Sequence, residues 1–211
     1  MLVHARRRDL RRSHADGPSG PLLDQRYCQR KFRNHQKVWI AFLLLLDLDT
    51  VTYDIERWMA TFVEVPHPAL GGWAPCPYAR KARLDRDFEV RLGRNPFEDL
   101  IAVSYGTLAK SVTIFVYDPE LHPYDQFHQE LEYANTQYLV PRDMIALEDH
   151  PADAEIVNGV SMNQGTYALA LIQSLSDLDT KARLMAQRGF YDTWPEDYLQ
   201  TLFNHRQDPR S

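Results

Sequence analysis

Cysteine is nearly absent: the chain has 211 residues and two cysteines, Cys28 and Cys76. Two such distant residues build neither a disulfide framework nor a multi-cysteine zinc pattern. A reducing, cytoplasmic location is therefore expected. Long apolar runs are missing too. The longest, Val38 to Leu46, has nine residues, whereas a bilayer span needs about 20. The region after it, Leu46-Asp47-Leu48-Asp49-Thr50, is a poor cleavage site, so no membrane association is expected. The motifs His-Glu-x-x-His, Gly-x-Gly-x-x-Gly, the phosphate-binding P-loop and Gly-x-Ser-x-Gly do not occur. This removes the most direct sequence routes to a zinc protease, a dinucleotide enzyme, an NTPase or a serine hydrolase. No internal repeat is visible.

What is present is ordinary globular composition, 44% hydrophobic and 25% charged, with an uneven charge distribution. Residues 1–37 hold ten Lys/Arg and three Asp/Glu; the rest holds 14 and 26, so a +7 arm precedes a −12 body. An acidic body argues against nucleic-acid binding by the folded part, because phosphate contacts need a basic face. The arm, with Arg6-Arg7-Arg8 and Gly17-Pro18-Ser19-Gly20-Pro21, has the composition of a disordered segment. It reads either as a basic tail for an acidic partner or nucleic acid, or as an over-extended reading frame with the natural start near Val51. The domains expected are thus an arm or extension over 1–50 and one globular domain over 51–211.

Apolar spacing predicts a helix from Asp54 to Val63, capped by Thr52 or Asp54, then a Pro- and Gly-rich loop. Alternation at Phe88, Val90 and Leu92 predicts a strand, and Asn95-Pro96 opens a helix to about Ala109. Val112 to Tyr117 is the clearest strand. Tyr124 to Leu139 has a helical apolar face, and Asp143 to Leu147 forms a third strand. A polar loop over 148–164 is followed by an apolar helix from Thr166 to Leu178. Further helices run from an Asp179 cap to Arg188 and, with Pro195 at its first position, from Glu196 to Asn204. Strands alternating with helices imply an α/β (α+β) sandwich, a three- or four-stranded sheet covered by helices. A ferredoxin-like arrangement is one candidate form.

Three segments hold residues suited to chemistry. Cys76 lies between Pro75 and Pro77, with Arg80, Lys81 and Arg83 close behind. Nearby cations favour a thiolate, which suits a nucleophile or a metal ligand; the plain alternative is a small buried residue locking a turn. The loop after the third strand holds Glu148, Asp149, His150, Asp153 and Glu155, then Asn163 and Gln164. A histidine among carboxylates can act as general base or co-ligand, and Asn163 with Gln164 can orient a substrate. The plain alternative is a self-bonded loop with His150 capping the strand end. His128 and Glu132 stand four apart on a helix, a spacing found in chelates and more often in simple ion pairs.

The order of these motifs resembles a bacterial family known only as a domain of unknown function. Its members have a helix carrying Trp, a Cys-Pro-Phe-Ala loop, an apolar strand ending in a Pro turn, a His-Pro loop and an Asn-Arg-Ser-Pro-Tyr segment. Trp58, Cys76-Pro77-Tyr78-Ala79, Val112 to Pro119, His150-Pro151 and Asn163-Gln164-Gly165-Thr166-Tyr167 stand at those places. Ala152-Asp153 replaces an Asp-Tyr pair, and Gln164 and Thr166 replace the arginine and proline. The resemblance implies no known activity. It does imply that Cys76, His150 and Asn163 occupy recurring motif positions, as the members of one site would. Arg80, Asp153, Gln164 and Tyr167 are the ligand-binding candidates beside them. No metal site and no cofactor is specified. The function expected is a small-molecule enzyme or ligand binder. The alternative is a protein-interaction or homo-oligomeric module using the aromatic C-terminus (Phe190, Tyr191, Trp194, Tyr198, Phe203).

Overall fold

The computed structural model describes residues 47–206 and 208–210. The basic arm, with Cys28, and the apolar run Val38 to Leu46 lie outside the described residues. Helix α1 (Leu48–Trp58) starts where Asp47 accepts a hydrogen bond from the Asp49 amide (3.3 Å), six residues before the predicted start and inside the segment read as arm. It buries Val51 and Ile55 one turn apart. A π-helical turn, Met59–Val63, continues it. The Pro/Gly loop leads to the short helix α2 (Ala79–Leu84).

The main sheet has four strands: β1 (Phe88–Leu92), β2 (Val112–Tyr117), β3 (Met144–Asp149) and β6 (Ala168–Ser174), in the order β1-β2-β6-β3. A small hairpin, β4 (Ile156–Val157) and β5 (Val160–Ser161), is separate. β1 and β2 are parallel, and β6 runs antiparallel to both β2 and β3. Helix α3 (Pro96–Ser104), capped by Asn95, connects β1 to β2, and α4 (Tyr124–Ala134) connects β2 to β3. Helices α5 (Leu175–Ala186) and α6 (Glu196–Leu202) close the chain. The α/β class expected from the alternation is what the structure has.

The ferredoxin-like form is not. That arrangement needs the element order β-α-β-β-α-β. Here two crossovers come in succession, β1-α3-β2 and β2-α4-β3, and the last strand inserts between the second pair. That last strand also corrects the helix predicted over 166–178. Ala168, Ala170 and Ile172 pack on the α3–α4 face, while Leu169 packs on the α1 face. A strand bonded on both edges and buried on both faces is apolar throughout, and such a run has no period to separate it from a buried helix. The weak helical preference of Ala and Leu loses to ladders on both sides. Ser174, its last residue, caps α5 by accepting from the Asp177 amide (3.3 Å), so Asp179 lies inside that helix rather than at its start.

The α3–α4 face buries Leu100, Phe127 and Leu131 against Phe115 and Ile172; the other face buries Val51 and Ile55 against Ile114 and Val116. A third cluster, around Leu70, Tyr191, Trp194 and Leu199, binds the Pro/Gly loop to α5 and α6. Phe190, Tyr191, Trp194 and Phe203 are all buried in it. They form core, which corrects their reading as a contact surface. No helix among the described residues is long and apolar enough to cross a membrane.

Candidate functional site

The Pro-flanked turn holds Cys76 by its own backbone, with the Cys76 amide donating to the Val63 carbonyl (3.0 Å). Burial pushes the Cys76 thiol up, against the opposing pull of the Tyr78 and Ala79 amides and Lys181. The expected lowering by Arg80, Lys81 and Arg83 is therefore reversed. Lys81 pairs with Asp85, and Arg83 with Glu64 in a two-pronged bond (2.7 and 3.1 Å). Arg80 is exposed. The cations have carboxylate partners of their own or face solvent, while Cys76 itself is half-buried, so desolvation dominates.

His150 is 2% exposed. Its Nδ1 accepts from the Ala152 amide (3.1 Å), which places the ring proton on Nε2, facing the His122 carbonyl (3.0 Å). Both ring nitrogens are spent, and the ring packs against Tyr124 and Phe127. A general base needs a free lone pair; His150 has none and serves as the strand-end cap. Asn163 is also structural, donating to the His150 carbonyl (3.1 Å) and accepting from the Glu155 amide (3.2 Å). The Gln164 side chain accepts from the Thr166 and Tyr167 amides (2.8 and 3.0 Å). Tyr167 is buried, with its hydroxyl donating to Asp54 (2.9 Å). His150, Asn163, Gln164 and Tyr167 thus come together as the lacing of one loop.

The loop presents other residues. A cleft of about 1040 Å³ runs along β3, the edge strand, and Cys76, Glu148, Asp149, Asp153 and Glu155 line it. Asp149 is 5% exposed. Its Oδ2 accepts from the Gln164 amide (2.8 Å), whereas its Oδ1 is buried with no hydrogen-bond partner among the described residues. Burial pushes its carboxyl up to about 7, with Glu155 and Asp153 adding repulsion against the opposing pull of the Gln164 amide and the Asn163 side chain. Burial likewise raises Glu148 and Glu155. Glu148 Oε1 meets His128 Nδ1 (2.8 Å), while its Oε2 is buried with no hydrogen-bond partner among the described residues. Burial opposes charge on His128, but Glu148 outweighs it and the imidazole is raised. Tyr198 donates to Glu155. Tyr124 is pushed up to about 12 by burial and by Glu148.

His128 and Glu132, predicted as a helical pair, take separate partners: Glu148 for one, His205 for the other (2.9 Å). No group of three or more His, Cys, Asp or Glu among the described residues is arranged to hold a metal ion. A smaller cavity of about 350 Å³ beside α3 holds Glu89 and Arg91, which pair with each other (2.7 Å), and Asp99, which accepts from the Arg94 and Asn95 amides.

Sequence reading weighted His150 over its neighbours Glu148 and Asp149. The available signal was position: both carboxylates end β3, where sheets with crossover helices place their sites. Compared with models of known families, with curated proteins and with solved structures, the chain has no match.

Proposed function

We propose that the protein binds a small molecule bearing a protonated amine in the cleft along β3, with Asp149 receiving the amine and Glu148 and Glu155 flanking it. The observation that carries this reading is Asp149, which lines a cleft of about 1040 Å³ and whose Oδ1 is buried with no hydrogen-bond partner among the described residues. A buried acceptor without a partner costs about 1–3 kcal/mol, and a buried carboxylate more. A cation with N–H donors relieves both. The volume suits a small-molecule ligand.

The expected function as a small-molecule binder or enzyme is kept, with its centre moved from Cys76 and His150 to the carboxylates. The test is calorimetric titration of the full chain with straight-chain alkylamines at pH 8, repeated on Asp149→Asn. Saturable binding lost in the variant supports the reading; equal binding by both proteins, or none by either, removes it. A second reading, acid–base catalysis, is favoured by one fact. The Asp149 carboxyl at about 7 sits near neutral pH, where proton exchange is most effective.

A further inference from the structure

We infer that the same cleft carries an anion subsite built from Arg206 and Trp194, so that its ligand is a zwitterion with both an amine and a carboxylate. The Arg206 side chain is 3% exposed; its Nε donates to Asp179 (3.0 Å), its guanidinium also acts on the Tyr191 hydroxyl, and its Nη2 is buried with no hydrogen-bond partner among the described residues. Trp194 is 8% exposed, and its Nε1 is likewise buried with no partner among the described residues. Both residues line the cleft.

They are neighbours around Tyr191. The Tyr191 ring lies 5.8 Å from that of Trp194 and 5.4 Å from that of Phe203, and the Arg206 guanidinium stacks 5.0 Å over Phe203. Both unspent groups are donors, and guanidinium and indole N–H groups accept nothing. Their complement is an oxyanion, and an arginine fork suits the planar carboxylate. Asp179 holds Nε and thereby fixes the fork. Trp194 also leads to the acidic end: its ring is 5.5 Å from that of Tyr198, whose hydroxyl holds Glu155. One ligand lying over this aromatic strip meets donors at one end and carboxylates at the other. The inference rests on the amine reading for the ligand's second group only; the donors stand on their own geometry.

The test titrates the full chain with straight-chain ω-aminocarboxylates of increasing length, and with the alkylamine and alkanoate of each length. The proteins are the wild type, Asp149→Asn, Trp194→Phe and Arg206→Met. At one length the aminocarboxylate is expected to bind about tenfold or more tighter than the matching amine. Trp194→Phe keeps an aromatic side chain but loses the indole N–H together with part of the ring system, so it should erase most of that advantage, read as the ratio of aminocarboxylate to amine affinity within each protein. Arg206→Met should do the same where it still melts cooperatively, and Trp194→Phe decides the matter where it does not. An advantage absent at every length, or undiminished in Trp194→Phe, overturns the anion subsite and leaves the amine reading standing. Alkanoate binding that depends on Trp194, with no amine binding, supports the subsite and removes the amine reading instead.

Discussion

The hydroxyl of Tyr198, on the last helix, donates a hydrogen bond to the carboxylate of Glu155, in the loop that follows β3. It ties the C-terminal cluster to the acidic end of the cleft, 43 residues away in sequence. The bond also opposes the effect of burial on Glu155. Tyr198→Phe is expected to cost about 1–3 kcal/mol and to move the Glu155 carboxyl further up. Urea unfolding at pH 7 measures the first, and a carboxyl NMR titration the second. An unchanged Glu155 titration would contradict the geometry.

Asp149 gives the chain a defined pH dependence. Its folded value of about 7 lies above the unfolded value near 3.9. Between the two, the folded chain keeps a proton that the unfolded chain has lost. Its contribution therefore favours folding below about pH 4 and is withdrawn as pH rises towards about 7. The size is about 2–4 kcal/mol. Asp149→Asn should flatten this slope and be the more stable protein at pH 8. Urea unfolding at pH 5 and pH 8 measures it, and an unchanged slope would refute the assignment. Amine binding should weaken below pH 7, because proton and cation compete for one oxygen.

Cys76 is expected to be a slow thiol. With burial raising it, alkylation of the folded chain at pH 7 should run about tenfold or more slower than in the urea-unfolded chain. Mass spectrometry of the Cys76 peptide reads this. Fast alkylation at pH 6–7 would instead reveal an accessible thiolate in the cleft.

Asn158 and Gly159 form the turn of the β4–β5 hairpin with φ of 51° and 82°. Asn158 Nδ2 also donates to the Ala69 and Thr193 carbonyls (2.9 and 2.6 Å). Asn158→Ala should lose about 1–3 kcal/mol through these carbonyls. Gly159→Ala should lose about 1 kcal/mol or more through backbone strain alone, although a Cβ there meets nothing within 4 Å. Thermal melts of both variants test the pair; a Gly159→Ala protein as stable as wild type would remove the strain argument.

What could be read in the chain was local. Val112–Tyr117 is the strand its residues predict, and Asn95 with Pro96 opens α3 as expected. There, period, cap and turn residue all speak for one conformation. The Val157-Asn158-Gly159-Val160 hairpin carries the same kind of local signal, an Asn-Gly pair between apolar residues, within a stretch whose composition is that of a polar loop. β6 was not legible, because a run apolar on both faces gains its identity only from β2 and β3 on either side. The site divides along the same line. The residue types after β3 mark a polar loop in sequence, but whether a side chain is spent or free depends on which distant groups reach it. His150 is spent on the His122 carbonyl, 28 residues away, and the cations near Cys76 have carboxylate partners of their own or face solvent. Asp149 Oδ1, next to His150 in sequence, is left without a hydrogen-bond partner among the described residues. Composition, charge and short-range pattern determined the class and most elements; tertiary packing decided which polar atoms kept their bonding capacity, since burial and partnership are properties of the assembled chain.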